Sequence, residues 1–193
     1  LLILGGAGGV GSIAIQLARR AGLVVIATAS RPESRAWCER MGASHVVDHR
    51  QPLAPQLAAL GLPELDSIAN FSDTDAYWQA MAELIRPQGA IVAIVANRSP
   101  LDLNLLKAKS VSFHWEFMFT RPQFRTADRG RQGEILERLA ELVEAGEVQG
   151  TATTRLEPIS PENLARAHAQ LEGGRTLGKI VLAGWESGAV TTS

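Results

Sequence analysis

The sequence predicts an α/β fold: a doubly wound, parallel, six-stranded sheet with helices on both faces, followed by a C-terminal appendage of helices and a strand. Three observations carry this. Short continuous apolar runs, of which Leu1-Leu2-Ile3-Leu4 is the first, end at turn residues, as strands covered on both faces do. Between them, apolar residues recur at helical spacing, so strands alternate with helices and right-handed crossovers follow. A glycine cluster, Gly5 to Gly11, occupies the first strand-to-helix junction.

After the first strand, Val10, Ile13, Ala14, Leu17, Ala18 and Ala21 mark a helix stopped by Gly22. Leu23 to Thr28 reads as a second buried strand, Pro32 to Met41 as a second helix ending at Gly42, and Ser44 to Asp48 as a third strand. A Pro-rich stretch from Gln51 to Glu64 has no assigned element. Leu65 to Phe71 is a fourth strand, and Asp75 to Ile85 a helix burying Trp78, Met81, Ala82 and Ile85. Pro87-Gln88-Gly89 turns the chain into a fifth strand, Ala90 to Val95. Val111, Phe113, Trp115, Phe117 and Phe119 alternate with Ser112, His114, Glu116 and Met118, so the sixth strand has two unlike faces and belongs at an edge. A long aromatic edge invites pairing, and a homodimer through this strand is expected.

From Thr126 the composition becomes charged and helical, with Ile135, Leu136, Leu139, Leu142 and Val143 on one face and Gly146 at the end. Ser160-Pro161-Glu162 opens another helix as cap, first-turn proline and first-turn acid, Gly173-Gly174 closes it, and Lys179 to Leu182 is a final strand. Residues 1–125 are therefore read as one domain, 126–185 as the appendage, and 186–193 as a disordered tail with little to bury.

With 46% hydrophobic and 20% charged residues, the 193-residue chain can bury one sizeable core. A net charge of −1 gives no global basic field, which argues against nucleic acid as a partner. The first 18 residues carry no charge, yet their clustered glycines and the lack of a preceding basic segment fit neither a membrane span nor a signal peptide. The lone Cys38 can form no intramolecular disulfide, and a cytoplasmic location is expected.

Gly6-Ala7-Gly8-Gly9-Val10-Gly11 satisfies G-x-G-x-x-G at Gly6, Gly8 and Gly11. Between a strand and a helix these glycines permit a tight turn, close approach to a pyrophosphate and close helix packing, the Rossmann arrangement. The helix N-terminus offers unpaired N–H groups and a positive dipole end to phosphate. About 20 residues on, where NAD enzymes place an acid on the ribose, stands Thr28-Ala29-Ser30-Arg31. No carboxylate repels a 2′-phosphate there, while Ser30 can donate a hydrogen bond and Arg31 supply charge, so NADPH is expected over NADH. Ser30-Arg31-Pro32-Glu33 is also a capping-box pattern, in which Ser30 would cap the second helix. The missing acid argues against a methyltransferase. A short-chain dehydrogenase is excluded because the only tyrosine, Tyr77, has Met81 four residues on in place of lysine.

Gly5 to Arg19 resembles the cofactor turn and first helix of the medium-chain dehydrogenases/reductases, particularly their quinone-reductase-like and zinc-type alcohol dehydrogenase-like members. Arg40 to His49 is similar to their helix-to-strand segment, Ser112 to Phe119 to their sixth strand, and Gly178 to Leu182 to their closing strand. The resemblance implies that Gly8, Gly9 and Val10 contact pyrophosphate, that Ser30 and Arg31 contact the 2′-phosphate, and that His49 lies beside the adenine ribose. It places Asn70, Phe71 and Ser72, and the Ile94 to Ala96 backbone, at the cofactor crevice, with Phe117 and Met118 toward the nicotinamide. Lys179 could reach a phosphate, although a lysine opening a strand is commonly just solvated, and Arg175 shares that ambiguity.

Family members begin with a separate barrel-like catalytic domain, whereas Leu1 stands directly in the cofactor strand. The chain is accordingly expected to be inactive alone, with residues from about Thr151 belonging to that domain's return segment. No catalytic residue is assigned. Cys38, His45, His49, His114 and His168 lack ligand spacing, so no metal site is assigned either. The expected activity of the whole protein is NADPH-dependent hydride transfer to a small quinone, enone or carbonyl compound. The alternatives are a zinc alcohol dehydrogenase with its metal in the other domain, or a nucleotide-sensing module without chemistry.

Overall fold

A computed structural model describes residues 1–185. Six strands, β1 (Leu2–Leu4), β2 (Ile26–Thr28), β3 (His45–Val47), β4 (Leu65–Asn70), β5 (Ile85–Ala93) and β6 (Ser112–Trp115), form one sheet in the order β3-β2-β1-β4-β5-β6. Every neighbouring pair is parallel. This is the doubly wound α/β fold expected, and its strand order reverses between β1 and β4. Crossovers leave those two strands toward opposite faces, so a crevice opens at their carboxyl ends.

Alternation along each strand feeds two apolar layers. Leu2, Leu4, Ile26, Ile68 and Ile91 face one layer, closed by Leu57 of α3 (Leu53–Ala59) and by Trp78 and Met81 of α4 (Thr74–Leu84). Ile3, Val25, Ala27 and Ala69 face the other, closed by Ile15 of α1 (Gly9–Arg20) and by Trp37, Cys38 and Met41 of α2 (Pro32–Met41). A short α5 (Asn104–Lys107) precedes β6, and α6 (Thr120–Phe124) follows it.

The C-terminal residues add α7 (Arg131–Glu144), β7 (Ala152–Leu156), α8 (Pro161–Glu172) and β8 (Lys179–Leu182), with β7 and β8 paired in parallel as a separate two-stranded sheet. This part is tied to the first sheet's helices by specific polar bonds. The buried Gln16 side chain accepts from Gln149 N at 2.7 Å and donates to Gln149 O at 3.1 Å. A parallel bridge joins Gly8 to Gly178, whose N–H donates to Ala7 O at 2.8 Å.

Several sequence expectations are corrected. The apolar stripe on α1 is not its buried face: Val10 and Leu17 are exposed, and the residues packed inward are Gly11, Ser12, Ile15, Gln16 and Ala18. Polar Ser12 and Gln16 can be buried because each finds partners far away in sequence. Trp37 Nε1 donates to Ser12 Oγ at 2.7 Å, and Gln149 meets Gln16. On α7 only Leu142 is buried, while Ile135, Leu136 and Val143 are exposed. The second strand starts at Ile26, with Leu23 and Val24 exposed. Gln51 to Glu64 contains α3, whose Leu53 and Leu57 reach the core. The fourth helix ends at Leu84, because Ile85 adopts extended backbone and pairs with Leu65 through a register irregularity, so β5 begins before the Pro87-Gln88-Gly89 turn. The sixth strand stops at Trp115, leaving Phe117, Met118 and Phe119 outside the sheet and exposed. It is an edge strand, but a short one. The expected tail, 186–193, lies outside the described residues. Among those described, no helix is long and apolar enough to cross a membrane.

Candidate nucleotide-binding site

The glycine turn follows β1 and leads into α1, with Gly8 as the extended N-cap residue. Helix geometry leaves the N–H groups of Gly9, Val10 and Gly11 without acceptors inside the helix, so they present donors and positive potential at its end. Gly5 N donates to Thr28 Oγ1 at 3.1 Å, pinning the turn to the end of β2, and Ser12 Oγ donates to Gly8 O at 2.7 Å. Gly11 allows the helix to lie against the turn, since a Cβ there would come within 2.7 Å of Gly6 Cα. Gly6 is enclosed as well, its absent Cβ falling 2.8 Å from Ala27 Cβ.

Beside this turn lies a cavity of about 260 Å3 whose walls include Gly8, Ser30, Arg31, His49, Phe71 and Thr176. Five sequence candidates from four different segments therefore converge: Gly8 from the turn, Ser30 and Arg31 from the end of β2, His49 from the end of β3, and Phe71 from the end of β4. Ser30 is free for a ligand. The helix cap falls one residue later than its capping-box pattern implies, with Arg31 at the N-cap and Arg31 N donating to Ser34 Oγ at 3.1 Å. No hydrogen bond of the Ser30 hydroxyl to protein is found among the described residues. The Arg31 guanidinium pairs with Glu33 at 2.8 Å and donates to Arg175 O at 2.8 Å, so a carboxylate that the β2 terminus itself lacks is supplied by the following helix. Burial lowers the pKa of His49 from its ordinary value; Asp48 raises it, while Arg50 and Arg31 push it further down. Burial and the two neighbouring cations thus favour the uncharged imidazole.

The remaining candidates lie around this centre. Ser72 follows the carboxyl end of β4, its N–H held by Asn70 Oδ1 at 3.0 Å. Fully buried Asn70 also donates to Thr74 Oγ1 at 3.0 Å and receives Ile94 N on its carbonyl at 3.2 Å, which ties the ends of β4 and β5 together. Lys179 lies apart from the cavity. Its aliphatic stem packs on Gly9, and it borders a separate groove with Val10, Ile13 and Leu17. Residues that local reading missed are Thr28, which anchors the turn, and Gly174 and Thr176, which line the cavity from the C-terminal part on either side of the candidate Arg175. Nothing local marks these two, because they meet the turn across the whole length of the chain. Arg50 was also missed, although a charged residue just beyond a strand end was a legible signal.

The described residues contain no group of three or more His, Cys, Asp or Glu side chains that could hold a metal ion. Their donor set does not fit zinc. Cys38 is buried, and burial pushes its thiol up to about 11, away from the thiolate a metal needs.

A doubly wound sheet with this glycine turn at its first helix defines a Rossmann-type cofactor-binding domain. A family model described as zinc-binding dehydrogenase matches residues 41–182, and the chain belongs to that family, within the medium-chain dehydrogenases/reductases. Curated relatives include a zinc-type alcohol dehydrogenase-like protein of Staphylococcus aureus, 48% identical over 182 residues, covering 94% of this chain and 54% of the relative. A quinone oxidoreductase of Pseudomonas aeruginosa is 26% identical, covering 94% of this chain and 55% of that protein. Among solved structures, a putative zinc-dependent alcohol dehydrogenase protein from Rhizobium etli superposes with a TM-score of 0.90 at 48% identity, over 95% of this chain and 54% of that one. A mycobacterial protein complexed with NADPH superposes at 0.79 with 25% identity, over 94% and 55%. The chain thus spans about half the length of the curated relatives it matches.

Proposed function

We propose that this chain is the cofactor-holding part of an NADPH-dependent oxidoreductase acting on a small quinone, enone or carbonyl compound. The observation that carries the reading is the single cavity in which the helix end, the uncommitted Ser30 hydroxyl, Arg31 and His49 meet beside the glycine turn. The NADPH bound by the mycobacterial neighbour and the activity for which the quinone oxidoreductase relative is named support it. Reduced nicotinamide supplies the hydride; the protein supplies position and electrostatics.

In this reading Gly6, Gly8, Gly9, Val10 and Gly11 form the pyrophosphate cradle, with N–H donors from the helix end. Ser30 and Arg31 receive the 2′-phosphate, and His49 flanks the adenosine ribose. Ser72 and Ile94 border the nicotinamide end of the crevice, and Lys179 adds positive charge beside the helix N-terminus. Residues 1–125 form the cofactor domain. Residues 126–185 complete a catalytic domain that supplies the other wall of the substrate site. Cytoplasmic location and a homodimer through the β6 edge belong to the same proposal. β6 pairs with β5 alone, and Trp115 is 48% exposed. Sedimentation showing monomer only would remove the dimer.

The decisive experiment is calorimetric titration with NADPH and NADH separately. NADPH is expected to bind more tightly, and Arg31→Ala to weaken NADPH selectively by about 1–3 kcal/mol through loss of a charge-assisted bond. Equal affinities for the two cofactors would sink the reading of Ser30 and Arg31.

A further inference from the structure

We infer that Arg50 is a second, specificity-determining cation for the adenosine 2′-phosphate, so that selection of NADPH depends on a pair of guanidinium groups drawn from two strand ends. This rests on the proposed NADPH site and names a residue that the glycine turn and the β2 terminus do not reveal.

The geometry is direct. Arg50 follows β3, yet its Nη2 reaches across to the end of β2 and donates to Ser30 O at 2.5 Å. Its backbone is held by the turn that begins at Asp48, whose Oδ1 accepts from Arg50 N at 2.9 Å. The same carboxylate oxygen lies 3.7 Å from Arg50 Nε, at an exposed pair where such a contact contributes little. Nη1 has no protein partner among the described residues. The side chain is 60% exposed, so a phosphate placed at the Ser30 hydroxyl can recruit it without displacing a buried contact.

Its neighbours sharpen the assignment. Arg35 also reaches the ends of β2 and β3, but its guanidinium is spent on the carbonyls of Val46 at 2.8 Å and Ala29 at 3.5 Å. That leaves Arg31 and Arg50 flanking Ser30. Both act on His49, which lines the cavity with Arg31, and both disfavour its charge. Two cations beside one unbonded hydroxyl suit a phosphate that carries nearly two negative charges. A ribose carrying only hydroxyls gains nothing from the second cation.

The test uses the 193-residue chain, with 2′,5′-ADP and 5′-AMP as probes that differ by the 2′-phosphate. The parent is expected to prefer 2′,5′-ADP. Arg50→Met should weaken 2′,5′-ADP about tenfold, change 5′-AMP less than about twofold, and flatten the salt dependence of 2′,5′-ADP binding. Arg50→Lys should recover part of the loss, since it restores charge without the planar fork. Arg31→Met separates this inference from the reading beneath it. If Arg31→Met loses the preference while Arg50→Met keeps it, Arg50 is only a surface charge and the inference fails although the NADPH site stands. If the parent shows no preference, both fail. Equal losses of the two probes in Arg50→Met would also overturn the inference, because Arg50 would then merely brace the Ser30 backbone.

Discussion

Replacing Gly11 with alanine tests the claim that the first helix rests directly on the turn before it. The new Cβ would lie 2.7 Å from both Gly6 Cα and Gly6 O, and closer still to Gly5 O, where ordinary contact begins at 3.4 Å. All three are backbone atoms of a turn pinned by Thr28, so no flexible side chain can yield. The helix end must retreat by more than about 0.7 Å, or the turn must open. Overpacking of this kind costs about 1–3 kcal/mol, and the better helix propensity of alanine returns about 0.5–1 kcal/mol. A net loss of about 1–2 kcal/mol follows, read as a urea midpoint lowered by about 0.5–1 M for an m-value near 2 kcal/mol/M. Nucleotide affinity should fall too, because the donors of Gly9 and Val10 move with the helix. Gly133→Ala is the control: Gly133 is a helical glycine in α7 with nothing near its absent Cβ, so the substitution should stabilise by about 0.5–1 kcal/mol. A Gly11→Ala chain as stable as the parent, with undiminished nucleotide binding, would refute the close-packing argument.

Two other outcomes follow from buried groups. Gln16→Leu strands the N–H and C=O of Gln149, so we expect a loss of about 1–3 kcal/mol and faster hydrogen exchange at the Gln149 amide; unchanged exchange would mean that this side chain does not hold the C-terminal part. Cys38 should resist thiol reagents in the folded chain at pH 8 and react on unfolding, because it is fully buried and its thiol is pushed to about 11. A raised pKa on an acid means that the unfolded thiol loses its proton first. Between its ordinary value of 9.0 and about 11 the unfolded chain therefore binds fewer protons, and stability must fall as pH rises. Cys38→Ala should show a shallower fall across that window, and identical slopes would contradict the burial.

Local sequence was enough for elements whose signal is local. β1, the glycine turn and the bounds of α2 at Pro32 and Gly42 follow from apolar runs, a first-turn proline and a left-handed glycine stop. The same holds for α8, whose Ser160 side chain accepts from Asn163 N as the cap pattern predicts. Hydropathy alone failed on α1 and α7. It counts Val10 and Leu17 as core and Ser12 and Gln16 as surface, without knowing what each will meet. The length of the sixth strand failed for a related reason: alternation continues to Phe119, but pairing with β5 ends at Trp115, with a last hydrogen bond from Glu116 N to Ala93 O at 3.0 Å.

The candidate site divides along the same line. By itself the sequence determined the parallel α/β fold, the glycine turn between the first strand and the first helix, and Ser30 and Arg31 in place of an acid at the end of β2. Those are properties of contiguous residues and their backbone preferences. Only tertiary structure decided that Ser30 is free of the helix cap, that Arg50 beyond β3 donates to its carbonyl oxygen, and that Gly178 bridges to Gly8 and brings Thr176 to the cavity wall. Each of these depends on which strands lie side by side and on what a polar group finds when it is buried, and both are settled by packing between segments distant in sequence.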